Sequence, residues 1–187
     1  IPNQLLGFAS DAAFGIAIRD DALASEFLRA HRLEARKFIC LIPRTRYTPY
    51  HLVHGTAPTT EDLRRQMISD RHLEADLAKM AEVVERWVTE TGHRVLVCPE
   101  MTYQVDVGRT LVERLPARVR SKVVWRPNYW MPDEAVSTYA CAHTVVSMDN
   151  HSPIFALTQG TPAFYIRQPT DTTKGQMWPD LGMEDWF

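Results

Sequence analysis

The sequence predicts an α/β fold: a Rossmann-like parallel sheet of about five strands with helices on both faces. Two observations carry this. Five short, continuous apolar runs recur along the chain without the alternation of a half-exposed strand, the pattern of strands buried on both faces. Between them lie stretches with helical spacing of apolar residues and recognisable start and stop signals, the βα alternation of a doubly wound sheet.

Taken in order, a short apolar-alternating segment from Gly7 to Ile18 leads into a helix over about Asp21 to Arg32, with Asp20 or Asp21 as its N-cap. Lys37 to Ile42 is an apolar run stopped by Pro43 and reads as the first strand. Arg44 to Thr60 is polar and rich in proline and threonine, so it reads as a loop. Glu61 to Arg86 is helix-compatible, with Leu73, Leu77, Met80, Val84, Trp87 and Val88 at helical spacing and Gly92 placed as a C-cap. Arg94 to Cys98 is the second strand, and Val105 to Leu115 a helix stopped by Pro116. Lys122 to Trp125 is the third strand. Pro132-Asp133-Glu134 opens the next helix, with proline early and acids in the first turn as the helix dipole favours. Thr144 to Met148 is the fourth strand, Ser152 to Gln159 a short helix before Gly160, and Ala163 to Ile166 the fifth strand. A last helical turn is expected near Asp171 to Lys174.

Composition narrows the class. The 187 residues are 45% hydrophobic and 24% charged, enough for a single globular core. Lysine and arginine number 21 against 23 acids, so the balance gives no electrostatic case for nucleic acid. No apolar run reaches the roughly 20 residues of a membrane helix. Three scattered cysteines, Cys40, Cys98 and Cys141, do not make a disulfide framework, and a reducing cytoplasm is the expected home. His51, His54 and His72 lack metal-ligand spacing, so a metal site is not expected. The chain opens at Ile1 without methionine and stops at Phe187, which reads as a piece of something longer.

In a doubly wound sheet, ligands bind beyond the carboxyl ends of the strands. That rule selects the residues after each run. Arg44 and Arg46 follow the first, spaced to share one face of an extended segment, where two guanidiniums can clamp a phosphate or carboxylate. Glu100 follows the second, as a general base, a ligand to a sugar hydroxyl or a helix-entry acid. Asp149, Asn150, His151 and Ser152 follow the fourth, running straight into a helix whose free N–H groups suit an anion; alternatively Asn150 or Ser152 simply caps it. Arg167 and Lys174 bracket the loop after the fifth. Neither a Gly-x-Gly-x-x-Gly turn nor a lysine-serine or lysine-threonine phosphate loop is present. Trp125, Trp130 and Trp178 are suited to stacking on a sugar or to packing.

The segment Val145-Val-Ser-Met-Asp-Asn-His-Ser-Pro-Ile-Phe-Ala-Leu-Thr-Gln-Gly-Thr-Pro-Ala-Phe-Tyr-Ile166, followed by Lys174-Gly and Leu181-Gly-Met183, resembles the C-terminal lobe of the polysaccharide pyruvyl transferase family. Apart from Asp149 at the arginine position, it looks like that family's strand, Arg-x-His, serine, small-apolar helix, Gly-x-Pro, strand, lysine and leucine-glycine-apolar segment. Asp11-Ala-Ala-Phe14 resembles the link that ends the family's N-terminal lobe. The resemblance implies one lobe of a GT-B architecture, with residues 1–20 as interlobe linker and 21–187 as the C-terminal lobe of a two-lobed enzyme whose N-terminal lobe is the missing partner. It implies transfer of a pyruvyl group from phosphoenolpyruvate, or use of another anionic donor, onto a sugar or glycan-lipid acceptor of a surface polysaccharide precursor, without a metal or bound organic cofactor. His151 would be general acid or substrate donor, Arg44 or Arg46 would hold the donor's phosphate or carboxylate, and Lys174 would support the anion. Where the family carries an arginine two residues before the histidine, this chain has Asp149, which would repel phosphoenolpyruvate and can instead orient His151 or bind a sugar hydroxyl. The same lobe would equally serve a GT-B glycosyltransferase with a nucleotide-sugar donor, or a glycan- or anion-binding module without turnover.

Overall fold

A computed structural model describes residues 9–171 and 173–186, except the side chains of Thr173, Lys174 and Trp186. Five parallel strands form one sheet: β1 (Phe38–Ile42), β2 (Arg94–Val97), β3 (Val123–Trp125), β4 (Thr144–Ser147) and β5 (Ala163–Tyr165). Their order is β3-β2-β1-β4-β5. The chain therefore grows outward from β1 to β3, then returns to lay β4 along the other side of β1. That reversal between β1 and β4 is the switch point at which such sheets open a crevice.

The helices between them are α1 (Asp21–Ala30), α2 (Tyr50–His54), α3 (Thr60–Thr91), α4 (Gln104–Arg114), α5 (Ala117–Arg120), α6 (Pro132–Cys141), α7 (His151–Thr158) and α8 (Met177–Asp180). Both faces of β1 are buried, and its side chains divide by the two-residue period of a strand. Ile39 and Leu41 pack with Leu77, Met80 and Val84 of α3 and with Leu111 of α4. Phe38, Cys40 and Ile42 pack with Leu28 of α1, Ala135 and Tyr139 of α6 and Ala156 of α7. A chain that winds outward and then back with crossovers of one hand puts its helices on opposite faces, and this division follows.

Element boundaries depart from sequence expectation where tertiary packing adds to local signals. Helix α3 runs 32 residues and ends at Gly92, whose φ of 69° is the left-handed conformation that glycine adopts without strain. Its start is fixed by a capping box between Thr59 and Asp62. The Arg44 to Thr60 loop contains the one-turn helix α2, and the segment after Pro116 forms α5. The expected turn near Asp171 to Lys174 becomes a 3-10 turn at Thr173–Gln176 running into α8.

The tryptophans expected as stacking candidates are committed to packing. Trp178 is 2% exposed, and its indole N–H donates to Asn150 Oδ1 at 2.9 Å. Trp130 donates to Pro99 O at 2.7 Å, and Trp125 to Val105 O at 3.0 Å. Residues Ala12–Gly15 form a 3-10 turn that packs against α7. Ala13 joins Ile154, Tyr165, Met177 and Trp178 in a small separate core.

Helix α4 approaches the sheet at Gly108. A Cβ there would lie 3.0 Å from Val97 Cγ1 and 3.4 Å from Trp125 Cδ1. Gly108→Val is therefore expected to destabilise the protein by about 1–3 kcal/mol through overpacking. Urea unfolding checks this, and an unchanged midpoint would contradict the close approach.

Candidate functional site

A cleft of about 850 Å³ lies beyond the carboxyl ends of β1, β2, β4 and β5. Arg44, Arg46, Glu100, Asp149, Asn150 and His151 all line it, together with Asp11, Arg65, Asp171 and the aromatic rings of Tyr47, Tyr50, Phe155 and Tyr165. Six of the nine residues expected at the site thus meet in one crevice, and the seventh, Ser152, is buried against Glu100.

The centre of the site is the start of α7. Glu100, carried on the loop after β2, reaches across the end of β1 to this helix. Its Oε2 accepts from the Ser152 backbone N–H and the Ser152 hydroxyl, both at 2.7 Å. Its Oε1 accepts from the His151 Nδ1–H at 3.0 Å and the His151 backbone N–H at 3.3 Å. Glu100 is held in turn by Gln104, whose side-chain oxygen accepts the Glu100 and Met101 backbone N–H groups at 2.6 and 3.0 Å. The expected cap was Asn150 or Ser152. Neither side chain caps α7; a carboxylate from a distant strand does so. The physical reason is the favourable field and free N–H groups of a helix start, which an ionised side chain satisfies better than a neutral one.

Glu100 also corrects the expected partner of His151. Asp149 makes no hydrogen bond to the imidazole; its carboxylate turns the other way. Asp149 Oδ2 accepts from Gln104 Nε2 at 2.7 Å, and Oδ1 accepts from the Asn150 backbone N–H at 3.0 Å and lies 3.5 Å from Arg44 Nη1. The hydrogen bond from His151 to Glu100 holds the imidazole's pKa above its ordinary value, despite burial acting the other way. Its Nε2 faces Asp11 Oδ2 at 3.8 Å, and the side chain is 41% exposed. Burial works to raise Glu100, but the bonds from His151 and Ser152 outweigh it and keep the carboxyl below its usual range. At Asp149, burial and then the Glu100 charge push the pKa up to about 6, against the opposing pull of Arg44.

Arg44 and Arg46 do not clamp one anion. Arg44 sits between Asp149 at 3.5 Å and Asp171 at 3.6 Å. Arg46 makes a bidentate pair with buried Asp76 of α3, at 2.8 and 3.1 Å. Each guanidinium finds its own buried carboxylate, which same-face spacing in an extended segment does not foresee. Arg167 is exposed and does not line the cleft; its guanidinium lies over Gly175. Lys174 lies on the 3-10 turn, and its side chain is outside the described residues.

Asp11, Asp76, Asp171 and Gln104 complete the arrangement. Asp171 lies in the loop after β5, and its Oδ2 accepts from the Tyr165 hydroxyl at 2.6 Å. Asp11, Asp76 and Gln104 carry no local signal. Asp11 reaches the cleft because Phe14 packs on Trp178, and Asp76 reaches Arg46 because α3 crosses beside the β1 loop. Among the described residues, no group of three or more histidine, cysteine or acidic side chains is arranged to hold a metal ion.

The five-stranded parallel sheet and its crevice define a Rossmann-like α/β fold. Among solved structures, the chain is similar to the E. coli ADP-heptose LPS heptosyltransferase II, with a TM-score of 0.54 and 13% sequence identity. The match covers 92% of this chain and 43% of that one, so the chain spans less than half the length of the enzyme it resembles. No protein-family model matches the chain, and no curated protein does. The likeness is one of fold. No described helix is long and apolar enough to cross a membrane.

Asp149 supplies a pH test. Its folded pKa, near 6, lies above the roughly 3.9 of an unfolded aspartate. Its contribution to stability is therefore fully present below about pH 4 and is lost as pH rises through about 6. Between these limits the urea midpoint of the wild type is expected to fall more steeply than that of Asp149→Asn. Parallel curves would show that Asp149 titrates as an ordinary acid.

Proposed function

We propose that the chain is one lobe of a GT-B-type glycosyltransferase, with the cleft at the β1/β4 switch point receiving the sugar of a nucleotide-sugar donor. The observation that carries this is the Glu100-bound His151 imidazole, its Nε2 open to a cleft with aromatic walls, in a fold shared with a heptosyltransferase. Tyr47, Tyr50 and Phe155 offer faces for the apolar side of a sugar ring. Between Glu100 and Asp11, His151 is favoured in its charged form and donates a hydrogen bond, or a proton, from Nε2 to an oxygen that gains negative charge as a sugar bond breaks. A second lobe facing this edge would bring the acceptor, with residues 1–20 as the link to it. The acceptor fitting this reading is a sugar or glycan-lipid.

Pyruvyl transfer from phosphoenolpyruvate fits the same fold but suits this cleft less well. Its small donor carries a carboxylate and a phosphate and needs unpaired cations. Here Asp149 stands where an arginine is expected, and Arg44 and Arg46 are each paired to carboxylates.

Saturation-transfer NMR with UDP-, GDP- and ADP-linked sugars, and with phosphoenolpyruvate, tests the reading. At least one nucleotide-sugar is expected to show transfer to its sugar protons, lost in His151→Ala. Binding of phosphoenolpyruvate with none of the nucleotide-sugars would overturn it.

A further inference from the structure

The reading above places a sugar at the His151 end of the cleft, and the charges around that end say more about which part of a substrate it accepts. The start of an eight-residue helix at a sheet's carboxyl edge is ordinarily open to an anion. Here the donors are taken. The backbone N–H groups of His151 and Ser152, the Ser152 hydroxyl and the His151 Nδ1–H all bond to Glu100, whose side chain is only 12% exposed. The Ser152 hydroxyl also lies 3.0 Å from the Tyr139 hydroxyl, which closes the seat from behind.

The cations around the cleft are matched as well. Arg44 lies against Asp149 and Asp171, Arg46 against Asp76, and Arg65 against Glu61 at 2.8 Å. Asp11 presents a further carboxylate 3.8 Å from His151 Nε2. A phosphate entering here would meet the Glu100 carboxylate in its seat and Asp11 beside it, with every described lining arginine already engaged. An uncharged group with hydroxyls meets no such opposition and finds His151 Nε2 and Asp11 as hydrogen-bonding partners.

We propose that Glu100 is the specificity determinant of this cleft: its carboxylate occupies the anion seat at the start of α7, so that this end receives an uncharged, hydroxyl-bearing part of the substrate and turns phosphate away. The inference rests on the sugar-transfer reading for the identity of the accepted group, but the exclusion of phosphate stands on the hydrogen bonds alone. A nucleotide-sugar would then lie with its sugar toward α7 and its phosphates directed away from it. This inverts the usual use of a helix start, where the substrate brings the anion.

The test is a titration of the 187-residue chain with inorganic phosphate at constant ionic strength, following the backbone amide resonances of His151 and Ser152. In the wild type these two amides are expected to show no saturable shift. In Glu100→Ala the seat is vacated, and phosphate is expected to bind there at least about tenfold more tightly. In the near-isosteric Glu100→Gln, phosphate competes with a neutral amide instead of a carboxylate, and the two amides shift in the same direction as in Glu100→Ala. Saturable phosphate binding at these amides in the wild type would overturn the proposal, and the wild-type measurement does not depend on how any variant folds. Phosphate binding no tighter in either folded variant would overturn Glu100's role. Neither outcome depends on whether a nucleotide-sugar binds, so failure here is distinguishable from failure of the transferase reading.

Discussion

Everything at the functional edge of this lobe depends on one buried carboxylate accepting four hydrogen bonds. Glu100 leaves the end of β2, passes the end of β1 and closes on the start of α7, which follows β4. In the sheet order, β2 and β4 are the two neighbours of β1, so this contact bridges the switch point where the crevice opens. An ionised group this buried survives because every partner is a donor, two of them backbone N–H groups at a helix start and one an imidazole that gains charge from the exchange. The same contact orients His151 and directs its free nitrogen toward the cleft.

The rest of the edge follows a related rule, in which each buried cation is matched locally. Arg44 is shared between the loops after β4 and β5, and Arg46 is pinned to α3. The Tyr165 hydroxyl and the Gln168 backbone N–H both donate to Asp171, which folds the last loop back on β5. Thr170 adds a bond from its hydroxyl to Arg46 O at 3.1 Å. Side chains that look like free anion receptors in a linear reading are instead the ties that hold four loops in register around a near-neutral crevice. These ties leave His151 Nε2, Asp11 and the aromatic walls facing the cleft.

Much of this was legible in the sequence, and the limits are physical. The five strands could be read because a parallel sheet buried on both faces demands uninterrupted apolar runs, and Gly92, Pro116 and Gly160 punctuate the helices between them. The site edge could be read from the strand-end rule, which put Arg44, Glu100, Asp149 and His151 together without any motif. Pairing could not be read. Asp76 sits mid-helix among other polar residues, Asp11 lies 140 residues from His151, and Gln104 opens an unremarkable helix; their roles exist only once the chain has folded. The resemblance around Val145 to Ile166 located the histidine but, read through the family's arginine, pointed to Asp149 as its companion. The carboxylate that serves it is 51 residues earlier. Short helices such as α2 and α5 escaped because one-turn helices leave too little periodicity to detect.

The geometry of this edge turns on the bond between Glu100 and His151. The direct measurement is the nitrogen-15 NMR titration of the His151 imidazole in the wild type and in Glu100→Gln. The bond raises the imidazole's pKa above its ordinary value, so the wild-type midpoint is predicted to lie above 6.5 and to fall when Glu100 loses its charge. Because the charged imidazole is favoured in the folded state, its contribution to stability is present below that ordinary value and lost as pH rises through the folded midpoint. Identical midpoints in the two proteins would contradict the central claim, since they would mean that the carboxylate neither charges nor orients the histidine.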